Sequence, residues 1–374
     1  MPRSLRSPFP YVPLGSTELH MDAVKTWTRL LADIAGAREE VLFETYILVD
    51  GAAADALLTA LKQAKKNGAS IRMMLDGAGS HELTSELHEQ LKNIAEVQIY
   101  HPLRWQTLFF QFRSRFMQRT HRRLVIVDHM VLWTGGLAVE DPWWKESSAP
   151  FLEAMVRCCG PVVSQARIAF ESLWIGTPEM ELKPKGYREI QADQIRVLPQ
   201  RAGRISCFRY SLLHRIGGAH RRIWISTAYF IPPRRLRRAL IHSADRGLDV
   251  RLLLPGPNQH DHPAIRFASR RYYAQLLRHG VKIYEYQTSF QHSKACLFDD
   301  DLCIIGSPNI DRWSNLWNHE LAVDMFATEI NQSLAKNFEA AFAESRCYNH
   351  AEWKRRSLWS RFLEYFFGIF DKAF

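Results

Sequence analysis

Two histidines in this chain each stand two residues before a cation. His292 and Lys294 are followed by Asp299 and then by Gly306-Ser307-Pro308-Asn309. His121 and Arg123 are followed, at the same spacing, by Asp128 and then by Gly135-Gly136-Leu137-Ala138. An imidazole and a cation at fixed spacing from a carboxylate and a glycine turn suit phosphate chemistry. With a pKa of about 6.5, histidine can act as nucleophile, base or acid near neutral pH. A cation neutralises the non-bridging oxygens of a phosphodiester. Residues i and i+2 of a strand share a face. The spacing therefore predicts that His121 and Arg123 point one way together, as do His292 and Lys294. Two such strands facing each other place two histidines and two cations around one phosphorus. Two histidines also allow the reaction to split into two displacements through a covalent intermediate.

The elements that must position these residues occur twice. Val24, Trp27, Leu30, Leu31 and Ile34 define one apolar helix face, and Phe208, Leu212, Leu213 and Ile216 define another. Ile34-Ala35-Gly36-Ala37 leads into Val41-Leu42-Phe43, and Ile216-Gly217-Gly218-Ala219 leads into Ile223-Trp224-Ile225. Next, KNGASIRMMLDG in one half matches DRGLDVRLLLPG in the other, each with a helix ending at a glycine, Gly68 or Gly247. A glycine there suits a left-handed cap. A short strand (97–100; 281–286) then precedes each histidine motif. Alternating strands and helices imply an α/β sheet with helices on its faces. The expected organisation is an N-terminal segment 1–20, a first half 21–175, a linker 176–200 where Pro178, Pro184, Gly186 and polar residues break the pattern, a second half 201–345 and a C-terminal segment 346–374.

The paired motif resembles the HKD motifs of the phospholipase D superfamily. Within it, the chain is most similar to bacterial cardiolipin synthases. This rests on Phe43-Glu44-Thr45-Tyr46, Leu75-Asp76-Gly77, His121-Arg122-Arg123, Ala228-Tyr229-Phe230 and Gly306-Ser307-Pro308-Asn309-Ile310-Asp311. The first copy departs from the family pattern at Arg123, where Lys is usual, and at Ala138, where Asn is usual. The resemblance implies an α/β fold of two phospholipase D-like sandwich halves related by pseudo-twofold symmetry, with one shared site at their interface. It implies a phosphohistidine intermediate and no metal or other cofactor.

The catalytic set so implied is His121, Arg123, Asp128, His292, Lys294 and Asp299. His121 is read as the nucleophile and His292 as the general acid, with Arg123 and Lys294 on the phosphoryl oxygens. Asp128 and Asp299 are read as holding the strand-turn rather than touching substrate. Ser307 and Asn309 are candidate phosphate or turn donors, a load that Ala138 cannot share. Family members orient each histidine with an acid about thirty residues downstream. That count points to Glu320 after His292 and to Glu153 after His121, with a structural salt bridge as the other reading of each. Glu44, in an otherwise apolar run, either lines the site or pairs with an arginine at its rim. Tyr229 is read as buried packing. His260 and His262 are read as part of a polar loop, because no third ligand stands at a telling spacing.

Bulk properties bound the partners. The chain carries 49 Lys plus Arg against 39 Asp plus Glu, a net charge of +10, so an anionic partner is expected. Six cysteines form no CxxC pair, so no zinc site is signalled. Cys158 and Cys159 are adjacent, which rarely suits a disulfide, and Cys158, Cys296 and Cys303 lie in apolar runs as buried small hydrophobes, so a reducing compartment fits. The N-terminal residues lack the apolar core of a signal peptide, and no run of about 18 apolar residues could span a bilayer. Two stretches mix aromatic and basic residues: Leu103 to Arg123, and the tail from Trp353 to Phe374. Both read as membrane-surface segments, with core helices as the plainer alternative. The expected partner is an anionic phospholipid membrane that supplies phosphatidylglycerol. The expected location is peripheral, on the cytoplasmic face of the bacterial inner membrane. The expected reaction joins two phosphatidylglycerols into cardiolipin and glycerol. A phospholipase D hydrolase, an HKD nuclease and a degenerate lipid- or polyphosphate-binding module are the rivals. Nucleic acid is disfavoured because the tail is more apolar than such contacts require.

Overall fold

The first half builds a sheet from strands buried on both faces. The computed structural model describes residues 8–103, 118–144, 151–176, 191–203, 206–257 and 262–369. The first sheet runs in the order Thr17–His20, Met155–Cys159, Val131–Gly135, Leu124–Val127, Glu40–Thr45, Ser70–Asp76, Glu96–Tyr100. Glu40–Thr45, Ser70–Asp76 and Glu96–Tyr100 are parallel to one another, joined by helices Ala52–Lys66 and Ser85–Lys92. Such crossovers cover the sheet and account for near-continuous apolar runs such as Leu124-Val125-Ile126-Val127. Leu124 and Ile126 face the central core, while Val125 and Val127 face the outer helices.

The second sheet repeats this plan. Leu302–Gly306, Ala295–Phe298, Arg222–Ser226, Asp249–Pro255 and Lys282–Tyr286 are neighbours in the order of their counterparts. Gly68 and Gly247 both close their helices with positive φ, 100° and 89°, as the repeat predicts. Helices Val162–Trp174 and Thr328–Ala343 contribute Phe170, Leu334 and Phe338 to an apolar core shared by both sheets. The halves are thus held by a common core and not by surface contact alone, which gives the site between them a fixed geometry.

Three expected boundaries look different in three dimensions. Of the expected linker 176–200, Gln194–Gln200 is a strand that pairs along its full length with Asn318–Phe326. Its alternation of Ile195 and Val197, both buried, is the strand signal that the neighbouring linker residues obscured. Residues of the N-terminal segment join both sheets, Thr17–His20 on Met155–Cys159 and Val12–Pro13 on Gln194–Gln200. At the other end, Ser345–Tyr348 closes the second sheet against Lys282–Tyr286. Most of the aromatic and basic segment from Leu103 to Arg123, residues 104–117, lies outside the described residues, as does His260.

Candidate active site

Each motif begins just ahead of its strand. His121 to Arg123 precede Leu124–Val127, and His292 to Lys294 precede Ala295–Phe298. The histidines and cations therefore occupy extended lead-ins instead of the strands expected for them. What fixes these lead-ins is the opposite half. The His121 amide donates to the His319 carbonyl at 2.9 Å, and the His292 amide donates to the Leu152 carbonyl at 2.9 Å. Arg119–Thr120 adds a parallel pairing with Asn318 and His319, and Gln291 bridges to Leu152 in the same sense.

This stitching decides which acid meets which imidazole. His319 and Leu152 immediately precede Glu320 and Glu153. Nδ1 of His121 lies 3.0 Å from both oxygens of Glu320, and Nδ1 of His292 lies 2.5 Å from Oε2 of Glu153. Counting within each half gives the opposite pairing, and the structure corrects it. All four groups are buried. A carboxylate on Nδ1 fixes the tautomer and leaves Nε2 for chemistry.

The cations repeat one gesture. Nη1 of Arg123 donates to the His121 carbonyl at 2.8 Å, and Nζ of Lys294 donates to the His292 carbonyl at 2.7 Å. Lys294 also sits 2.7 Å from Nε2 of His292. Arg123 lies over the Tyr46 ring, which meets His121 edge-on at 5.1 Å between centroids. Burial first, and then the Arg123 charge, lower the His121 pKa to about 4. Burial and Lys294 likewise lower that of His292 to about 4. Burial pushes Glu153 and Glu320 upward, but the attractions and donors around them outweigh it and hold both below the usual range. The resting site therefore holds two neutral imidazoles, two carboxylates and two cations. Arg123 acts electrostatically on His292, and Lys294 on His121, so the two clusters lie within reach of each other.

The acids are supported differently in the two halves. Glu320 accepts from Ser307 at 2.5 Å, Ser314 at 2.7 Å and Asn318 at 3.3 Å. Glu153 accepts from the Ala154 amide at 2.9 Å and the Trp143 indole at 3.3 Å. Counted equally from the two histidines, Gly136 stands where Ser307 does, and Trp143 where Ser314 does. A Cβ at Gly136 would overlap the Glu153 carboxylate, so the first half has no room for a serine there. Ser307 is thus committed to the acid instead of standing free for phosphate. Asn309 accepts from Thr227 through Oδ1 at 3.4 Å, and its Nδ2 has no protein partner among the described residues.

Asp128 and Asp299 do not join this cluster. Asp128 accepts from the amides of Arg38, Glu39 and Glu40, and Asp299 from those of His220, Arg221 and Arg222. Both have positive φ, 49° and 47°, which a short polar side chain tolerates in a tight turn. They hold the strand-turn as read for them, and so leave the catalytic set in which the motif had counted them. Glu44 is buried and accepts from Thr120 at 2.5 Å, while Asp76 accepts from the Thr120 amide at 2.8 Å. Two acids thereby fix the residue just before His121. Tyr229 is half-buried, 5.9 Å from the His262 ring and close enough to Arg123 to act on its charge. It belongs at the site's edge instead of in the packed interior expected for it. Ser314 and Trp143 were not legible as site residues. Ser314 carried a faint signal as the third residue past the helix-capping Asp311; Trp143 carried none.

A paired sheet fold with two histidine-cation clusters across its interface is the architecture of the phospholipase D superfamily. Residues 30–174 and 212–342 match the family described as "Cardiolipin synthase, PLD-like domain", and the chain belongs to that family. Cardiolipin synthase A of Pectobacterium carotovorum is 28% identical over 353 residues, 91% of this chain and 72% of that protein. Cardiolipin synthase A of Yersinia pseudotuberculosis is 29% identical over 357 residues, 92% of this chain and 73% of that protein. The fold is also that of phosphatidylserine synthase from Haemophilus influenzae, with a TM-score of 0.76 at 10% identity, covering 97% of this chain and 95% of that one. Polyphosphate kinase from Porphyromonas gingivalis matches with a TM-score of 0.56 at 12% identity, over 87% of this chain and 50% of that one. Membership makes this an enzyme of phosphatidyl transfer.

Proposed function

We propose that this chain joins two phosphatidylglycerol molecules into cardiolipin and glycerol. The observation that carries the reading is the pair of buried imidazoles, each tied through Nδ1 to a carboxylate of the other half and each flanked by a cation. In the first step Nε2 of His121 attacks phosphorus. The bond from phosphorus to the glycerol oxygen breaks, and His292 gives that oxygen a proton. In the second step the primary hydroxyl of another phosphatidylglycerol loses its proton to His292 and attacks phosphorus, and the bond to His121 breaks. Arg123, Lys294 and Nδ2 of Asn309 hold the non-bridging oxygens in this reading.

His292 must carry a proton for the first step, although it rests neutral. The substrate supplies the condition. A phosphodiester anion between Arg123 and Lys294 offsets the two charges that oppose protonation of His292. It also draws Lys294 away from Nε2. The carboxylate of Glu153 then stabilises the imidazolium.

The chain works peripherally, on the cytoplasmic face of the inner membrane. The buried thiols of Cys158, Cys296 and Cys303 suit a reducing compartment, and among the described residues no helix is long and apolar enough to cross a membrane. The decisive experiment is product analysis by mass spectrometry after incubation with phosphatidylglycerol vesicles and a chelator, with His292→Ala as control. Cardiolipin and free glycerol, absent in the variant, are expected. Phosphatidic acid instead would make the protein a hydrolase, and no lipid product would turn attention to other phosphodiesters.

A further inference from the structure

The helix Leu358–Ile369 is attached to the protein the wrong way round for a core helix. Glu364, 2% exposed, and Gly368 are its buried residues. Glu364 bonds Arg356 at 2.8 Å and Arg270 at 3.5 Å. Arg271 donates to the Gly368 carbonyl, and a Cβ on Gly368 would collide with that arginine. Phe367 stacks on Phe267 at 5.7 Å. Its outward face is Leu358, Trp359, Phe362, Tyr365, Phe366 and Ile369, with Leu358 79% and Trp359 67% exposed. These positions recur at helical spacing, so they form one continuous apolar strip. A helix that only completed a core would turn this strip inward and its glutamate to water.

We infer that this strip is the docking surface for an anionic phospholipid bilayer, and that it holds the site's mouth against the membrane. The inference rests on the lipid reading above. Charge selects the occupant: Lys354, Arg355 and Arg361 are exposed beside the strip, while its one acid is buried in ion pairs. Apolar and aromatic residues rimmed by basic ones match an acyl-headgroup boundary better than a protein groove. Position ties the strip to the site. The helix that carries the strip packs through Glu364 and Phe367 on helix Pro263–Arg270, which begins one residue after His262, the ring partner of Tyr229 at the site's edge. Arg234, Arg235 and Arg238 are exposed on the helix that starts five residues past Tyr229. Docking through the strip therefore brings a basic rim and the site to the same lipid surface.

The test uses the whole chain with Trp359, Phe362 and Phe366 each replaced by Ser. Binding is read by cosedimentation with phosphatidylcholine vesicles with and without phosphatidylserine. Wild type is expected to bind the anionic vesicles, and the triple variant about tenfold or more weakly, with its unfolding temperature unchanged. In wild type, Trp359 emission is expected to shift to the blue and to be quenched by brominated lipid, and Trp359→Phe to remove that signal. Equal binding by the variant overturns the inference, as does an unquenched Trp359. So does a dimer that the three serines dissociate while vesicle binding persists. Binding is measured without turnover, so the two readings fail separately. A chain that binds through the strip but forms no lipid product sinks the transfer reading alone.

Discussion

His121 and Glu320 come from different halves of the chain, yet Nδ1 of the imidazole lies 3.0 Å from both carboxylate oxygens. Replacing Glu320 by Gln should therefore lower the pKa of His121 further and leave that of His292 nearly unmoved. Glu153→Gln should do the reverse. Turnover should fall by about 10²–10⁴ in either variant, the range for losing support of an acid or base. Imidazole titration by NMR checks the assignment, and a shift in the histidine of the same half would refute it.

The resting histidines are depressed to about 4 by burial first and by their cations second. His121, the nucleophile, must be unprotonated and is lost only as pH passes through about 4. His292, the acid, gains its proton more readily as pH falls, so activity should not drop between pH 7 and that limb. The acid limb of kcat/KM should therefore lie well below 6.5. Stability follows the same sign. Unfolded histidines bind protons below about 6.5 and the buried ones do not. Each thus stabilises the fold above that pH, and its contribution is lost as pH drops toward 4. Lys294→Met should raise the pKa of His292; an unmoved imidazole titration would show that Lys294 is not what depresses it.

Lys294 reaches the His292 carbonyl just as Arg123 reaches that of His121. A lysine at position 123 can make the same contact, so Arg123→Lys should retain turnover to within about tenfold. Arg123→Met should lose far more. Equal losses in the two variants would mean that the guanidinium fork, and not its charge, is required.

Asp128 and Asp299 each hold three consecutive backbone amides of a turn. Replacing either by Ala should cost about 1–3 kcal/mol of stability by orphaning those donors. Thermal unfolding measures that loss. At a temperature where the variant is folded, its turnover should stay near that of wild type. Abolished turnover in a folded variant would return the aspartate to the chemistry.

The Trp143 indole donates to Glu153 at 3.3 Å, and its ring meets His292 at 5.1 Å, edge-on. Trp143→Phe keeps an aromatic wall but removes the donor. The Glu153 carboxylate becomes a stronger partner for imidazolium, so the His292 pKa should rise modestly while the fold is kept. An NMR titration identical to wild type would reduce Trp143 to packing.

The paired motif, the duplicated strand and helix rhythm and the two buried-face sheets were legible along the chain, because local spacing and apolar periodicity encode them. So were the turn-holding roles of Asp128 and Asp299, since a short acid after a strand has amides close at hand. The pairing of Glu320 with His121 was not. It depends on the His121 amide meeting the His319 carbonyl across the interface, a contact that no distance along the chain expresses. The strand Gln194–Gln200 was hidden for a related reason: its partner, Asn318–Phe326, lies more than a hundred residues away. The tail's composition announced an amphipathic helix, but not which side would face out. That was decided by Glu364, whose buried ion pairs with Arg270 and Arg356 turn the aromatic strip toward solvent. Sequence specified the chemical groups and their local geometry; the packing of one half on the other, and of the tail on the second half, decided which groups meet.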